Sequence, residues 1–201
     1  MVDVVQHKVF PTIIDEFQYD MDYDEYKFVI NELDEMESHE KTGLIIQTTD
    51  NLSKHIPKFT KKIYNITEHI CKRYEYLYDR LEFTGMWANK LEKGDTHPPH
   101  THSNNMLSGV YYSQSDNNAK IHFLDPRPQA RVLTPKIKHN TDNNSGLMQY
   151  HSQTNYMIIF PSWLQHYVES SVSEQPRHSV AWNVMMRGLV GDPHQLQSAT
   201  F

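Results

Sequence analysis

The chain is expected to be mostly β, an α+β protein in which a double-stranded β-helix (a jelly roll of the cupin-like kind) carries N-terminal helices on its outside. Three observations lead there. Up to about residue 80, apolar side chains recur every three or four residues, the spacing of a helix face. Beyond Leu81 the period falls to two. The segments with that period are short, rich in β-branched and aromatic residues, and separated by Pro, Gly, Asn, Asp and Ser clusters. Strands that follow one another without intervening helices imply an antiparallel sandwich or barrel.

The first helix is expected from Tyr23 to about Glu37, where Tyr26, Val29, Ile30, Leu33 and Met36 form one stripe between acidic residues. A short β-like piece, "GLIIQTT", comes next. In the second helix Phe59, Ile63, Ile66, Ile70, Tyr74 and Leu77 step by three or four, and Pro57 suits its first turn. Cys71 lies in this helix and reads as a small apolar residue. The strand candidates are "LEFTGMWAN", "MLSGVYYS", "KIHFLD", "ARVL", "NYMIIF", "HYVESSV" and "RHSVAWNVMM". The polar stretch "TPKIKHNTDNNSGLMQYHSQTN" is expected as a loop or extra hairpin over the barrel mouth, where substrate selection often resides. With no repeat and no low-complexity linker, residues 1–201 read as a single domain. Its helical layer is 1–80 and its jelly-roll core 81–190.

Composition narrows the partners. A formal charge of −6 with no evident basic face argues against nucleic acid. The longest apolar run, "YMIIF", is too short to span a bilayer, and no basic-then-apolar leader opens the sequence. One cysteine excludes an internal disulfide. The expectation is a cytoplasmic protein with no membrane partner and an open oligomeric state.

Thirteen histidines are the chemical peculiarity. His7, His39, His55, His69, His139 and His194 read as solvated side chains, and His122 and His151 as structural. The exceptions lie in "HPPHTHSNNMLSGVYY" and "IIFPSWLQHYVESSVSEQPRHSVAWN". His100 and His102, two apart on a strand end, project to one side, and a distant strand can bring His166 to them. Three imidazoles fill one face of a metal's coordination shell and leave other positions open. Arg177, eleven residues beyond His166, returns a guanidinium on the next strand, which suits a carboxylate beside a metal. His97 reads as a loop residue or a partner of a ligand.

The pieces "WANKLEKGDTHPPHTHSNNMLSGVYY", "IHFLDPRP", "IIFPSWLQHYVE" and "RHSVAWN" together resemble the Fe(II)/2-oxoglutarate-dependent dioxygenases, in particular a His-x-His group of bacteria and phages. The resemblance covers about half the chain, from Met86 to Met186. It implies a catalytic metal centre of His100, His102 and His166, with Fe(II), 2-oxoglutarate and O₂ as cofactor and co-substrates. It further implies that Arg177 pairs with the distal carboxylate of 2-oxoglutarate, aided by Ser179 and Tyr112. Asn183, on the same strand face as Arg177, is expected to line that co-substrate pocket as a further cofactor-binding residue, and Trp182 to point the other way. Most of that superfamily carries a carboxylate where this chain has His102. Asp95, Asp116 or Asp125 could supply one instead, and three imidazoles also suit Zn, Cu or Ni; Asp125 otherwise reads as the residue that fixes a turn before Pro126.

The expected activity is therefore hydroxylation of a protein or small-molecule substrate, with release of succinate and CO₂. Two alternatives stand beside it: a cupin-like three-histidine dioxygenase that uses no 2-oxo acid, against which Arg177 speaks, and a binding module without turnover.

Overall fold

The computed structural model describes residues 5, 7–39 and 45–201. The first elements are an edge strand β1 (Asp15–Gln18), helix α1 (Tyr23–His39), a two-residue β2 (Ile46–Gln47) and helix α2 (Pro57–Arg73). Gly43 and Leu44, which begin the expected β-like piece, lie outside the described residues. The remaining strands are β3 (Arg80–Leu91), β4 (His97–His100), β5 (Leu107–Gln114), β6 (Ile121–Leu124), β7 (Leu147–Tyr150), β8 (Tyr156–Pro161), β9 (His166–Val168), β10 (Arg177–Arg187), β11 (Leu189–Val190) and β12 (Ala199–Thr200).

The major sheet runs β1-β8-β5-β10-β3-β2 and the minor sheet β4-β9-β6-β7, with antiparallel pairing throughout; β11 and β12 form a separate hairpin. This is the expected jelly roll, mostly β, with both helices on the outside. Among the described residues no helix is long and apolar enough to cross a membrane.

The helices are joined end to side by one carboxylate. No side chain of its own caps α2 at Ile56. Glu25 of α1, buried, accepts hydrogen bonds from the backbone N–H of Lys58 (2.7 Å) and Phe59 (3.0 Å) instead. It satisfies two of the donors that a helix start leaves unmade and places a negative charge at the positive end of the dipole. At the other end the N–H of Tyr76 bonds the carbonyl of Cys71 (3.1 Å), with Glu75 in the left-handed region at φ 56°. That closure stops α2 at Arg73. The helical period runs on to Leu77 in the sequence, but Leu77 lies beyond the helix and is 91% exposed.

Between the helices and the major sheet Val29, Leu33, Phe59, Ile63 and Ile70 pack against Met86, Tyr111, Val180 and Trp182. The Phe59 ring lies 5.3 Å from Tyr111 and 5.8 Å edge-on from Trp182. Gly109 on β5 leaves room for that indole: a Cβ there would come within 2.3 Å of the Trp182 ring. Between the two sheets, Tyr112, Ile158 and Phe160 meet Ile121, Phe123 and Leu164. Alternation along a strand makes the division. Tyr111 faces the helices while Tyr112 faces the minor sheet, and Trp182 is sent to the helix side, as expected.

Two expectations fail locally, and a third is decided between its alternatives. "ARVL" is not a strand; residues 128–131 make a 3-10 turn, and Val132 and Leu133 after it are exposed. Of the loop and the extra hairpin expected for the long polar stretch, the hairpin reading fits: β7 lies inside it and pairs antiparallel with β6. His100 and His102 do not open a strand: His100 ends β4, and His102 lies in the turn that leads to β5.

Candidate metal centre

β4 and β9 pair so that His100 stands directly opposite His166. The turn after β4 is pinned where the N–H of His102 bonds the carbonyl of Ser162 (2.9 Å). These two constraints draw in the third ring. Among the described residues His100, His102 and His166 are the one group of three whose ligand atoms all lie within 4.8 Å of one another. Ring centroids are 4.2 Å apart for His100 and His166, 5.0 Å for His100 and His102, and 5.1 Å for His102 and His166.

Two of the rings have their tautomer fixed. Nδ1 of His100 faces the Pro98 carbonyl at 2.8 Å, and Nδ1 of His166 faces the Leu164 carbonyl at 2.9 Å. A carbonyl only accepts, so each Nδ1 carries the proton and each Nε2 presents a bare lone pair, the form a metal binds. Burial reinforces this. Desolvation, and then the neighbouring rings, hold His102 down to about 4; desolvation outweighs the Leu164 hydrogen bond and holds His166 at about 3. Near neutral pH these imidazoles are ready as ligands with no proton to lose.

The carboxylates that could have replaced His102 are engaged elsewhere. Asp95 accepts from the N–H of Glu92, Asp116 bonds Ser173 and the N–H of Asn118, and Asp125 pairs with Arg127. Asp125 also accepts from the backbone N–H of Arg127 at 3.0 Å, the turn-fixing role expected of it.

Arg177 begins β10, buried at 5% exposure. Its Nη1 donates to the Ala119 carbonyl (2.6 Å), and its guanidinium lies 5.3 Å from the centroid of the Tyr112 ring. Its Nε, fully buried, has no hydrogen-bond partner, and no acidic side chain among the described residues pairs with it. Desolvation lowers its pKa, as expected of a cation that lacks an anion. Ser179, two residues on, also has a buried hydroxyl without a partner. Register places it opposite Tyr112, itself fully enclosed, with its phenol pushed up to about 12 by burial. Buried polar groups are nearly always satisfied, so donors such as these beside a guanidinium are suited to receive an anion.

Asn183 sits six residues further along β10, opposite Ser108, whose hydroxyl donates to its Oδ1 (2.7 Å). At strand rise that is about 20 Å from Arg177. Asn183 lines an open groove of about 690 Å³ with Trp87, Asn104, Asn105 and Met106. The Trp87 ring is 6.1 Å from His102, so the groove adjoins the three histidines.

His55, His69, His139 and His194 are exposed, as is His7. The side chain of His39 lies outside the described residues. His122 is buried, bonded to Glu169 (3.0 Å) and stacked on Tyr167, and His151 bonds Asn117. His97, expected as a loop residue or a partner of a ligand, opens β4 and lays its ring 4.1 Å from that of His100. The local signal for that direction is the Pro98–Pro99 pair between the two.

A jelly roll with three converging imidazoles, and a buried arginine that no acidic side chain among the described residues neutralises, has the makings of a non-haem metal centre with room for a carboxylate beside it. Residues 85–183 match the family described as "Putative 2OG-Fe(II) oxygenase", about half the chain, and the chain belongs to this family of 2-oxoglutarate-dependent oxygenases that use Fe(II) and O₂. None of the curated proteins matches the sequence. Among solved structures the non-haem α-ketoglutarate-dependent epimerase SnoN from nogalamycin biosynthesis is similar with a TM-score of 0.62 at 11% identity, over 88% of this chain and 80% of that one. A Pseudomonas putida prolyl-4-hydroxylase is similar at 0.56 and 10% identity, over 88% and 94%. HygX from Streptomyces hygroscopicus, with nickel, 2-oxoglutarate and hygromycin B bound, is similar at 0.55 and 10% identity, over 87% and 83%. At such identities these likenesses speak for the fold.

Proposed function

We propose that this protein hydroxylates a protein or small-molecule substrate, converting 2-oxoglutarate and O₂ to succinate and CO₂ as one oxygen atom enters a substrate C–H bond. The observation that carries this reading is the buried Arg177 left without an anion in the same interior as three neutral, converging imidazoles. In this reading His100, His102 and His166 hold the metal. Arg177 takes the distal carboxylate of 2-oxoglutarate, with the Ser179 and Tyr112 hydroxyls in support. Bound there, Fe(II) and the 2-oxo acid supply O₂ activation, and no amino-acid base is required.

The charges support the same assignment. The three ligands are neutral, so a divalent ion and Arg177 together leave an excess of positive charge in a dry interior. A dicarboxylate offsets most of it. Arg177 offers a planar fork that matches a carboxylate in two hydrogen bonds. The inter-sheet apolar residues Phe123 and Phe160, with rings 5.7 Å and 4.7 Å from His166, exclude water around the ligands. Asn183, Trp87 and Asn105 serve the mouth, where the substrate to be oxidised enters.

The test is product formation. Protein loaded anaerobically with Fe(II) and 2-oxoglutarate, then exposed to O₂, is expected to form succinate, and His166→Ala protein is expected to form none above the free-iron background. Equal succinate from both proteins would refute the assignment.

A further inference from the structure

His97 and His100 are three residues apart, and in a regular strand they would point to opposite sides of the sheet. Their rings are instead 4.1 Å apart. The cause is visible in the ladder: between the pairs His97↔Val168 and His100↔His166 the register of β4 against β9 shifts. Pro98 and Pro99 occupy that interval, and neither can donate a ladder hydrogen bond, so the strand bulges and re-aims a side chain. Both rings turn Nδ1 toward the same Pro98 carbonyl, at 2.8 Å for His100 and 3.4 Å for His97. The bulge brings in a fourth imidazole, which stands outside the group of three.

Its other neighbours locate it. Val168, opposite His97, packs with Leu91 and Ala119. Leu91 is the register partner of Arg177 on β3, and the Ala119 carbonyl receives the Arg177 guanidinium. His97 is thus bounded by the metal-binding His100 on one side and by the layer that encloses Arg177 on the other.

We propose that His97 is the wall between the metal end and the arginine end of the co-substrate pocket, and that its bulk sets the length of 2-oxo acid the protein accepts. This rests on the function proposed above. An acid held at both ends must span a fixed interval, and the side chain alongside that interval decides whether one methylene more or less can be fitted.

The experiment is calorimetric binding of three 2-oxo acids to the Ni(II)-loaded protein without O₂: oxaloacetate, 2-oxoglutarate and 2-oxoadipate, which differ by one methylene each. The unsubstituted protein is expected to prefer 2-oxoglutarate. His97→Ala opens the wall and should raise the affinity ratio of 2-oxoadipate to 2-oxoglutarate by about fourfold or more, the value of one buried methylene. His97→Trp narrows it and should shift preference toward oxaloacetate by a similar factor, so a failure of one variant to fold leaves the other to decide. Both should keep Ni(II) at one equivalent. Ratios within about twofold of the unsubstituted protein, or loss of nickel from either folded variant, would overturn the proposal. Should the unsubstituted protein bind no 2-oxo acid at all, the proposed function falls with it; binding with unchanged ratios removes only the role of His97.

Discussion

The two faces of the major sheet are built from the same strands and behave oppositely. On the helix side, Tyr111 of β5 and Trp182 of β10 lie against Phe59, ring on ring, and the Tyr111 hydroxyl is bonded to Asn155 (2.9 Å). On the inner side, Tyr112 of β5 faces the start of β10, where the Arg177 Nε and the Ser179 hydroxyl are buried with no partner among the described residues. Packing alone completes the outer face. On the function proposed above, the inner face is completed by guests, a metal for the imidazoles and an anion for the guanidinium. Stability and function are therefore separable here, and substitutions on the two faces should give different kinds of loss.

The largest effect is expected at the ligands. His100→Ala or His166→Ala should abolish stoichiometric binding of Fe(II) in anaerobic protein while leaving the far-ultraviolet circular dichroism unchanged. Full metal occupancy in the double variant would erase the distinction between the faces.

On the outer face Trp182→Ala should cost about 3–5 kcal/mol of stability in denaturant unfolding, since it empties the centre of the helix–sheet packing. If the variant is folded at all, its metal content should be normal. A loss of metal at unchanged stability would show that the faces are not independent.

Arg177→Met tests the inner face from the other direction. Removing a buried cation that has no anion should raise the unfolding free energy of the ligand-free protein, on the order of 1 kcal/mol. A fall of that size would mean Arg177 is a structural residue whose hydrogen bond to Ala119 matters more than its desolvation.

A smaller, pH-dependent effect separates the same regions. His166 and His102 are held neutral in the folded protein, to about 3 and about 4, against roughly 6.5 in an unfolded chain. Between those values the unfolded chain binds protons that the folded chain does not. The metal-free protein should keep its full stability above about pH 6.5 and lose it as the pH falls toward 4. Urea midpoints measured from pH 7.5 to 4.5 check this. His166→Phe should flatten the dependence, and an unaltered slope would place its origin elsewhere.

The outer face was the more legible of the two in the sequence. Helical stripes and period-two strands are statements about burial; they predicted Val29, Phe59 and Ile63 on core-facing stripes and Trp182 on the face away from Asn183, where they lie. What escaped was structure that depends on tertiary partners. β1 is an acidic edge strand held by β8, and β4 is a Pro-Pro segment held by β9; neither has strand propensity of its own. "ARVL" has the propensity, yet its residues form a 3-10 turn and leave Val132 and Leu133 exposed. The capping of α2 by Glu25 joins residues more than thirty apart and leaves no local trace. At the centre, the three histidines were readable because two are close in sequence and the third follows a recognisable segment. His97 was not, because its direction is set by a bulge.

The central claim is that the unpartnered interior of the jelly roll is completed by a dicarboxylate held between metal and arginine. Equilibrium dialysis of labelled 2-oxoglutarate against Ni(II)-loaded protein tests it most directly. The unsubstituted protein should bind one equivalent, and only when metal is present. Arg177→Ala should weaken that binding roughly thirtyfold or more, the cost of about 2–5 kcal/mol for a charged pair left half-made. Arg177→Lys should recover part of it, since it keeps the charge and loses the fork. Equal affinity for Arg177→Ala and unsubstituted protein would contradict the account.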